Sequence, residues 1–200
     1  AVPTFATHWL IPRLRDLAHT HPDITVHIDT RTRPFLFADT SFDAALYTGT
    51  PEQVRNWPGT RADKLLDEDV VPVCSPALLQ GRKQLTPKAL AHMPLLQQST
   101  RPEGWRQWFE AMGVDAPQAL NGPRYELFSM LAVAASHQLG VALMPRLLIA
   151  GELARGELVV ACPKALRGRR SYYLITPDNT DEREVLTRFR AWLRAQAATA

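Results

Sequence analysis

Hydrophobic and polar positions along the chain follow two periods. Trp9, Leu10, Leu14, Leu17 and Ala18 recur at helical spacing. They predict a helix over Thr4–Thr20 that Pro12 kinks or restarts, with His21-Pro22-Asp23 as its end. Ile24, Val26 and Ile28 then alternate with Thr25 and His27, the period of a strand, and a polar loop follows at Thr30–Pro34. A short helical turn is predicted over Pro34–Thr40 and a buried strand over Phe42–Tyr47. Thr48–Thr60 reads as a long loop closed by Trp57-Pro58-Gly59.

The chain is organised around Asp67–Leu79, DEDVVPVCSPALL. Val70, Val71, Val73 and Cys74 predict a short strand. Pro72 cannot donate to a ladder, which places the strand at an edge or between two sheets. Ser75 and Pro76 suit the N-cap and first position of a helix. We read this stretch as a crossover from one α/β lobe to another. The second lobe reads as helices at Ser75–Leu79 and Thr86–Ala91, a strand at Leu95-Leu96 and a loop at Gln97–Pro102. Trp105, Trp108, Phe109 and Met112 give a helix over Glu103–Met112 one strongly apolar face. Next come a turn at Asn121-Gly122, a short strand at Arg124-Tyr125 and an Ala-rich helix over Leu127–Gln138 with Gly140 near its C-cap. A strand at Val141–Leu143, a helix at Pro145–Arg155 and a strand at Leu158–Cys162 complete the lobe. After a basic turn, Arg167–Arg170, the apolar strand Tyr172–Thr176 returns to the first lobe, and Asp181–Ala197 forms the last helix. Alternating strands and helices argue for parallel sheets with crossover helices.

Composition narrows the class. The chain has 200 residues, 46% hydrophobic and 22% charged, which is ordinary for a globular protein able to bury a sizeable core. The net charge is +3, and the basic residues are 19 Arg and 4 Lys. The arginines are scattered and form no basic stripe for nucleic acid. No apolar run approaches the ~18 residues of a membrane span. Cys74 and Cys162 both lie in apolar runs and read as buried, reduced thiols of a cytoplasmic protein. Only Ala1-Val2 stand ahead of the first helix, where an α/β sheet usually has a full strand, so further residues are expected upstream.

No catalytic constellation and no metal site emerge. His19 and His21 sit at a helix end and read as a surface pair. Asp67-Glu68-Asp69 reads as a solvated strand edge. Ser75 lacks a surrounding G-x-S-x-G and reads as a cap. No glycine-rich phosphate loop is present, and no cofactor is implied. What remains is a set of polar groups at helix starts and strand ends. Thr4 and Thr7 open the first helix, where unpaired N–H groups suit anions. Thr30 follows the second strand and Thr48 the third. Ser99 and Thr100 lie in the matching loop of the second lobe, and Tyr125 and Glu126 open its Ala-rich helix. These residues are candidates for binding a ligand.

Eight segments occur in an order that resembles the effector-binding domain of LysR-type transcription regulators. They are PTFATHWLIPRL (Pro3–Leu14), HPDITV (His21–Val26), FDAALY (Phe42–Tyr47), WPGT (Trp57–Thr60), VVPVCSPALL (Val70–Leu79), WRQW (Trp105–Trp108), LGVALMPRLL (Leu139–Leu148) and YYLITP (Tyr172–Pro177). The set is most similar to the branch holding the glycine-cleavage and β-lactamase activators. The resemblance implies two Rossmann-like α/β subdomains joined by two crossover strands, the type II periplasmic-binding-protein-like fold. Residues 1–70 with 168–200 would form one, and 71–167 the other. It implies a small polar or anionic effector bound in the cleft between lobes, with Thr4, Phe5, Thr30, Tyr47, Thr48, the loop Ser99, Thr100 and Arg101, and the helix start Tyr125-Glu126 at the pocket wall, and no enzyme activity. It also implies homodimers and tetramers, and promoter DNA bound through an N-terminal helix-turn-helix domain that this chain does not contain. No membrane partner is implied. The first helix, with Trp9 and Leu10, and Leu78–Leu90 are the candidate dimer surfaces. Relatives often carry a basic residue, Tyr, then Gly after the third strand, where this chain has Leu46-Tyr47-Thr48-Gly49. Arg31, Arg33 and Arg101 remain as alternatives for holding a carboxylate. A solute-binding protein of a transport system is the competing reading.

Overall fold

The structure, a computed structural model, describes residues 1–32, 35–178 and 183–199. The chain divides into two compact units, Ala1–Glu68 with Arg169–Ala200, and Asp69–Gly168. Helices and strands mix in both, as the α/β reading expects.

The first unit opens with a helical run, α1, whose geometry changes along its length. Pro3–Phe5 is α-helical, Ala6–Leu10 is a π turn, Ile11–Arg13 is 3-10, and Leu14–Thr20 is α-helical again. Pro12 explains the sequence of changes. It has no N–H and its ring crowds the carbonyl four residues back, so the turn before it widens and the turn around it tightens. Ile11 N–H reaches back five residues to Ala6 C=O. Strand β1 is Ala45–Gly49. The stretch read as one long loop contains a helix, α2 (Pro51–Arg55), held by a capping box between Thr50 and Gln53. Strand β2 is Thr60–Cys74, far longer than the expected Val70–Cys74. Strand β7 is Leu166–Pro177, so Arg167–Arg170 is strand and not a turn. The last helix, α7, is Glu184–Ala198. The expected start at Asp181 lies outside the described residues.

Within the first unit β1 pairs antiparallel with β7, Ala45 opposite Ile175 and Gly49 opposite Ser171. Two further expectations are corrected. Ile24–Ile28 forms no strand, although its burial alternates as a strand's would, with Ile24 buried, Val26 and Ile28 half-buried, and Thr25 and His27 exposed. The helical turn is confined to a 3-10 turn at Phe37–Asp39, and Pro34 lies outside the described residues. A small core gathers Ala45, Val54, Trp57, Tyr173 and Ile175.

In the second unit, the end of β2 pairs antiparallel with β5 (Val141–Pro145), Val70 opposite Pro145 and Val73 opposite Ala142. It also pairs with β6 (Val159–Val160). β3 (Leu95–Gln98) lies parallel to β5 and to β4 (Arg124–Tyr125). Pro72 is therefore flanked on both sides. It fits because its carbonyl accepts from Ala161 N–H at 2.9 Å while its missing N–H asks for no partner. Helix α3 (Pro87–Leu90) is capped by Thr86, as expected. Pro76–Leu79 is a 3-10 turn, and Ser75 does not cap it with its side chain. Ser75 is buried and its N–H donates to Ala135 C=O instead. Helix α4 is Gly104–Ala111, α5 is Phe128–Ser136 and α6 is Ala150–Arg155. Gln138, at φ +65°, turns the chain out of α5. Gly140 follows at φ +157°, where a Cβ would lie 2.5 Å from Pro94 C=O. The unit's core holds Leu79, Leu85, Leu90, Trp105, Trp108 and Phe109. Trp105 and Trp108 donate their indole N–H groups to Leu96 C=O and Lys164 C=O.

The buried side chains redirect the interface reading. Trp9 and Leu10 are each 2% exposed, and Leu79, Leu85 and Leu90 are buried, so these residues serve the cores of their own units. Among the described residues, the large apolar side chains that do face outward are Ile11, Leu36, Met130, Val133, Leu139 and Val185.

Candidate functional site

In the second unit, β3 ends in two buried glutamines that build the loop after it. Gln97 donates its side-chain amide to Ala119 C=O and Asn121 C=O at 3.0 and 2.7 Å. Gln98 donates to Glu126 C=O at 2.6 Å, and its side-chain oxygen accepts from both the N–H and the hydroxyl of Thr100. Ser99 N–H donates to Tyr125 C=O at 2.8 Å. Because β3 and β4 run parallel with Gln98 opposite Tyr125, the Ser99–Arg101 loop lies beside Tyr125 and Glu126. Ser99, Thr100 and Glu126 are exposed, while Arg101 and Tyr125 are half-buried. The Arg101 guanidinium lies 4.7 Å from the centre of the Phe128 ring, whose face attracts and orients it. Hydroxyls and a positioned guanidinium at the C-terminal end of parallel strands make a surface suited to a small polar or anionic molecule.

In the first unit, Thr4 and Phe5 are buried at the start of α1. Phe5 stacks between Trp9 and Tyr172, with ring centres 4.8 and 4.5 Å away. Tyr172 donates its hydroxyl to the buried Glu68 carboxylate at 2.9 Å. The neighbouring pair repeats the pattern, Ser171 donating to Asp67 at 3.1 Å. Thr30 is exposed and sits beside Ala1, whose carbonyl accepts from Arg31 N–H. Thr48 is half-buried in β1.

Two members of the candidate set have their polar or aromatic groups engaged locally. The Thr7 hydroxyl donates into its own helix, to Pro3 and Thr4 carbonyls, and lies 2.8 Å from His8. Tyr47 packs edge-on against Trp57, at 5.2 Å. Arg31 lies over the Phe42 ring at 5.1 Å, and Arg33 is outside the described residues. Among the described residues, His19 and His21 share no third ligand. His21 instead lies 3.1 Å from Arg188, which pairs with Asp23 through both guanidinium ends at 2.7 and 2.8 Å. That pairing holds the Asp23 carboxyl below its usual range. Among the described residues, no group of three or more His, Cys, Asp or Glu could hold a metal. No helix there is long and apolar enough to cross a membrane.

Sequence reasoning missed Gln97, Gln98, Glu68 and Tyr172. The glutamine pair carried no usable signal, because both read as ordinary loop residues after a strand of two leucines. Glu68 carried none, since its neighbours Asp67 and Asp69 are equally acidic.

Comparison with known proteins fits this geometry. The model of the LysR substrate binding domain matches residues 1–198. The glycine cleavage system transcriptional activator of Escherichia coli K12 is 35% identical over 198 residues, covering 98% of this chain and 63% of that protein. The transcriptional activator AmpR of Rhodobacter capsulatus is 32% identical, covering 98% of the chain and 64% of the relative. The chain thus spans less than two thirds of the curated relatives' length. The effector domain of AmpR from Pseudomonas aeruginosa superposes with a TM-score of 0.86 at 28% identity, covering 99% of this chain and 93% of that one. The AmpR effector-binding domain of Citrobacter freundii, at 24% identity and a TM-score of 0.86, shares the fold. This is the type II periplasmic-binding-protein-like fold expected from the sequence. Matched almost from end to end, the chain belongs to the LysR substrate-binding domain family.

Proposed function

We propose that this chain is the effector-sensing part of a LysR-type transcription regulator and that it binds its effector without transforming it. The observation that carries the reading is the Ser99–Arg101 loop, held by Gln98 beside Tyr125 and Glu126. Such a loop offers hydroxyl, amide and guanidinium donors on a fixed frame, the chemistry that selects a small polar or anionic metabolite. Thr4, Thr30 and Thr48 of the first unit are further candidate contacts. The relatives carry the names of transcription regulators, and none supports transport of a solute. The regulator would act in the cytoplasm as a homodimer or tetramer and reach promoter DNA through a helix-turn-helix domain. An effector shifts such an assembly only by its preference for one arrangement. A tenfold change in DNA affinity needs about 1.4 kcal/mol of that preference.

The test is a thermal-shift screen of amino acids, small carboxylates and sugar fragments. Its hits are repeated on Thr100→Val, Arg101→Gln, Thr4→Val and Thr30→Val. An anionic hit stabilises the parent and loses most of its effect in Arg101→Gln. Unchanged stabilisation in all four variants would remove these residues from the site. Light scattering at micromolar concentrations should give a dimer.

A further inference from the structure

Asn121 and Gly122 form an exposed turn whose backbone is tied to the end of β3. Gln97 grips the turn on both sides. Its side-chain amide donates to Asn121 C=O at 2.7 Å, and its backbone N–H donates to Pro123 C=O at 2.9 Å. Between those two bonds lies Gly122, at φ +114°. A Cβ there would collide with Leu95 C=O, so glycine alone fits. The Asn121 side chain is under no such demand. It is exposed, and its amide donates to Gln118 Oε1, on another exposed side chain.

Asparagine before glycine carries a chemistry of its own. The following peptide nitrogen attacks the side-chain carbonyl, and the bulk of the following residue sets how readily it arrives. Asn56 precedes Trp and Asn179 precedes Thr, whereas Asn121 precedes glycine. Among the described residues, Gly122 N–H donates to no acceptor that would hold it back. We propose that Asn121 is a site of self-modification, deamidating by ring closure onto Gly122 in the folded protein. Gly122 N gives its proton to solvent base and bonds to Asn121 Cγ. The Cγ–Nδ2 bond breaks, and the nitrogen takes up a proton and leaves as ammonia. Water then opens the cyclic imide at one of its two carbonyls. Opening at Cγ leaves aspartate. Opening at the main-chain carbonyl leaves isoaspartate, with the chain running on through Cβ and Cγ. In sum, water enters and ammonia leaves, with no oxidant or reductant.

The two products act differently on the fold. Aspartate adds a charge to an exposed side chain. Isoaspartate lengthens the main chain by a carbon between two bonds that Gln97 fixes, and turns the carbonyl that accepts from Gln97 into a free carboxylate. Gly122 lies against Leu95 C=O and cannot move inward to make room. The start of β4 must shift instead, and with it Tyr125, whose C=O accepts from Ser99 N–H at 2.8 Å. The fold thus demands the glycine that makes its neighbour labile, and that lability acts on the frame of the Ser99–Arg101 loop. This holds whether or not the loop binds an effector.

The folded chain, its Asn121→Gln variant and the free peptide Ala119–Tyr125 are incubated at pH 8 and followed by peptide mapping. Loss of the Asn121 amide raises the mass by about 1 Da. An exposed turn opens at little cost, so the folded chain should react within about tenfold of the peptide's rate. Asn56 should stay intact, and Asn121→Gln should not react at that position. A slower rate in the folded chain, or equal loss at Asn56, overturns the proposal. The isoaspartate form is then separated by chromatography and compared with Asn121→Asp. Amide exchange at Gln97 and Ser99 should be faster than in the parent by about tenfold or more in the isoaspartate form, and unchanged in Asn121→Asp. Equal exchange in the two forms overturns the coupling to β4.

Discussion

Tyr172→Phe isolates one buried interaction of the first unit. Tyr172 is 1% exposed and Glu68 3%, and the hydroxyl lies 2.9 Å from the carboxylate. Phenylalanine keeps the ring that stacks on Phe5, so only the hydroxyl is subtracted. A hydrogen bond to a charged acceptor contributes about 1.5–3 kcal/mol, and its loss leaves the buried carboxylate with one donor fewer. For a chain of this size that corresponds to a fall in Tm of about 3–12 °C. Urea unfolding, followed by tryptophan fluorescence and by circular dichroism, should show a lower midpoint with an unchanged slope. Coincidence of the two probes justifies a single free energy. Glu68→Gln and the double variant complete the cycle, with a coupling of about 0.5–3 kcal/mol. A Tyr172→Phe variant within about 0.5 kcal/mol of the parent, or additive single changes, would mean that the hydroxyl and the carboxylate do not stabilise each other.

Three further outcomes follow from local geometry. Gly140→Ala places a Cβ 2.5 Å from Pro94 C=O at φ +157°, and should cost at least about 2 kcal/mol in urea unfolding. Thr50→Ala removes the side-chain half of the capping box on α2 and should cost about 1 kcal/mol, measured the same way. Burial pushes the Cys74 thiol from 9.0 up to about 11. It should therefore stay protonated and unreactive toward a disulfide reagent at pH 8 until the protein unfolds. The raised value favours the folded state below pH 9, and this contribution is lost as pH climbs from there through 11.

Much of the architecture could be read from periodicity, and the failures have common causes. The helix over Glu103–Met112 was legible because Trp105, Trp108 and Phe109 declare one face, and all three are buried. The Thr86-Pro87 start was legible because capping is local chemistry. The length of β2 was not. Its first part, Thr60–Asp69, is rich in Asp, Glu, Lys and Arg, which strands disfavour on propensity alone. Partners distant in sequence stabilise it instead, Ser171 on Asp67, Tyr172 on Glu68 and Arg167 on Asp69. Arg167–Arg170 was misread as a turn for the same reason. At the candidate site, the Ser99–Arg101 loop and Tyr125-Glu126 could be named from their places after β3 and before α5. Their adjacency needed the parallel pairing of β3 with β4, which no local pattern encodes. Gln97 and Gln98 look like ordinary polar residues in sequence, and burial alone reveals that they build the loop.

Recognition without chemistry is open to a calorimetric test. A hit from the screen is titrated calorimetrically into the parent chain and into Arg101→Gln, and the bound compound is then recovered and examined by NMR. Binding should saturate at one molecule per chain, weaken in Arg101→Gln if the compound is anionic, and return the compound unaltered. Recovery of a converted product, dependent on the protein and on time, would contradict recognition without chemistry.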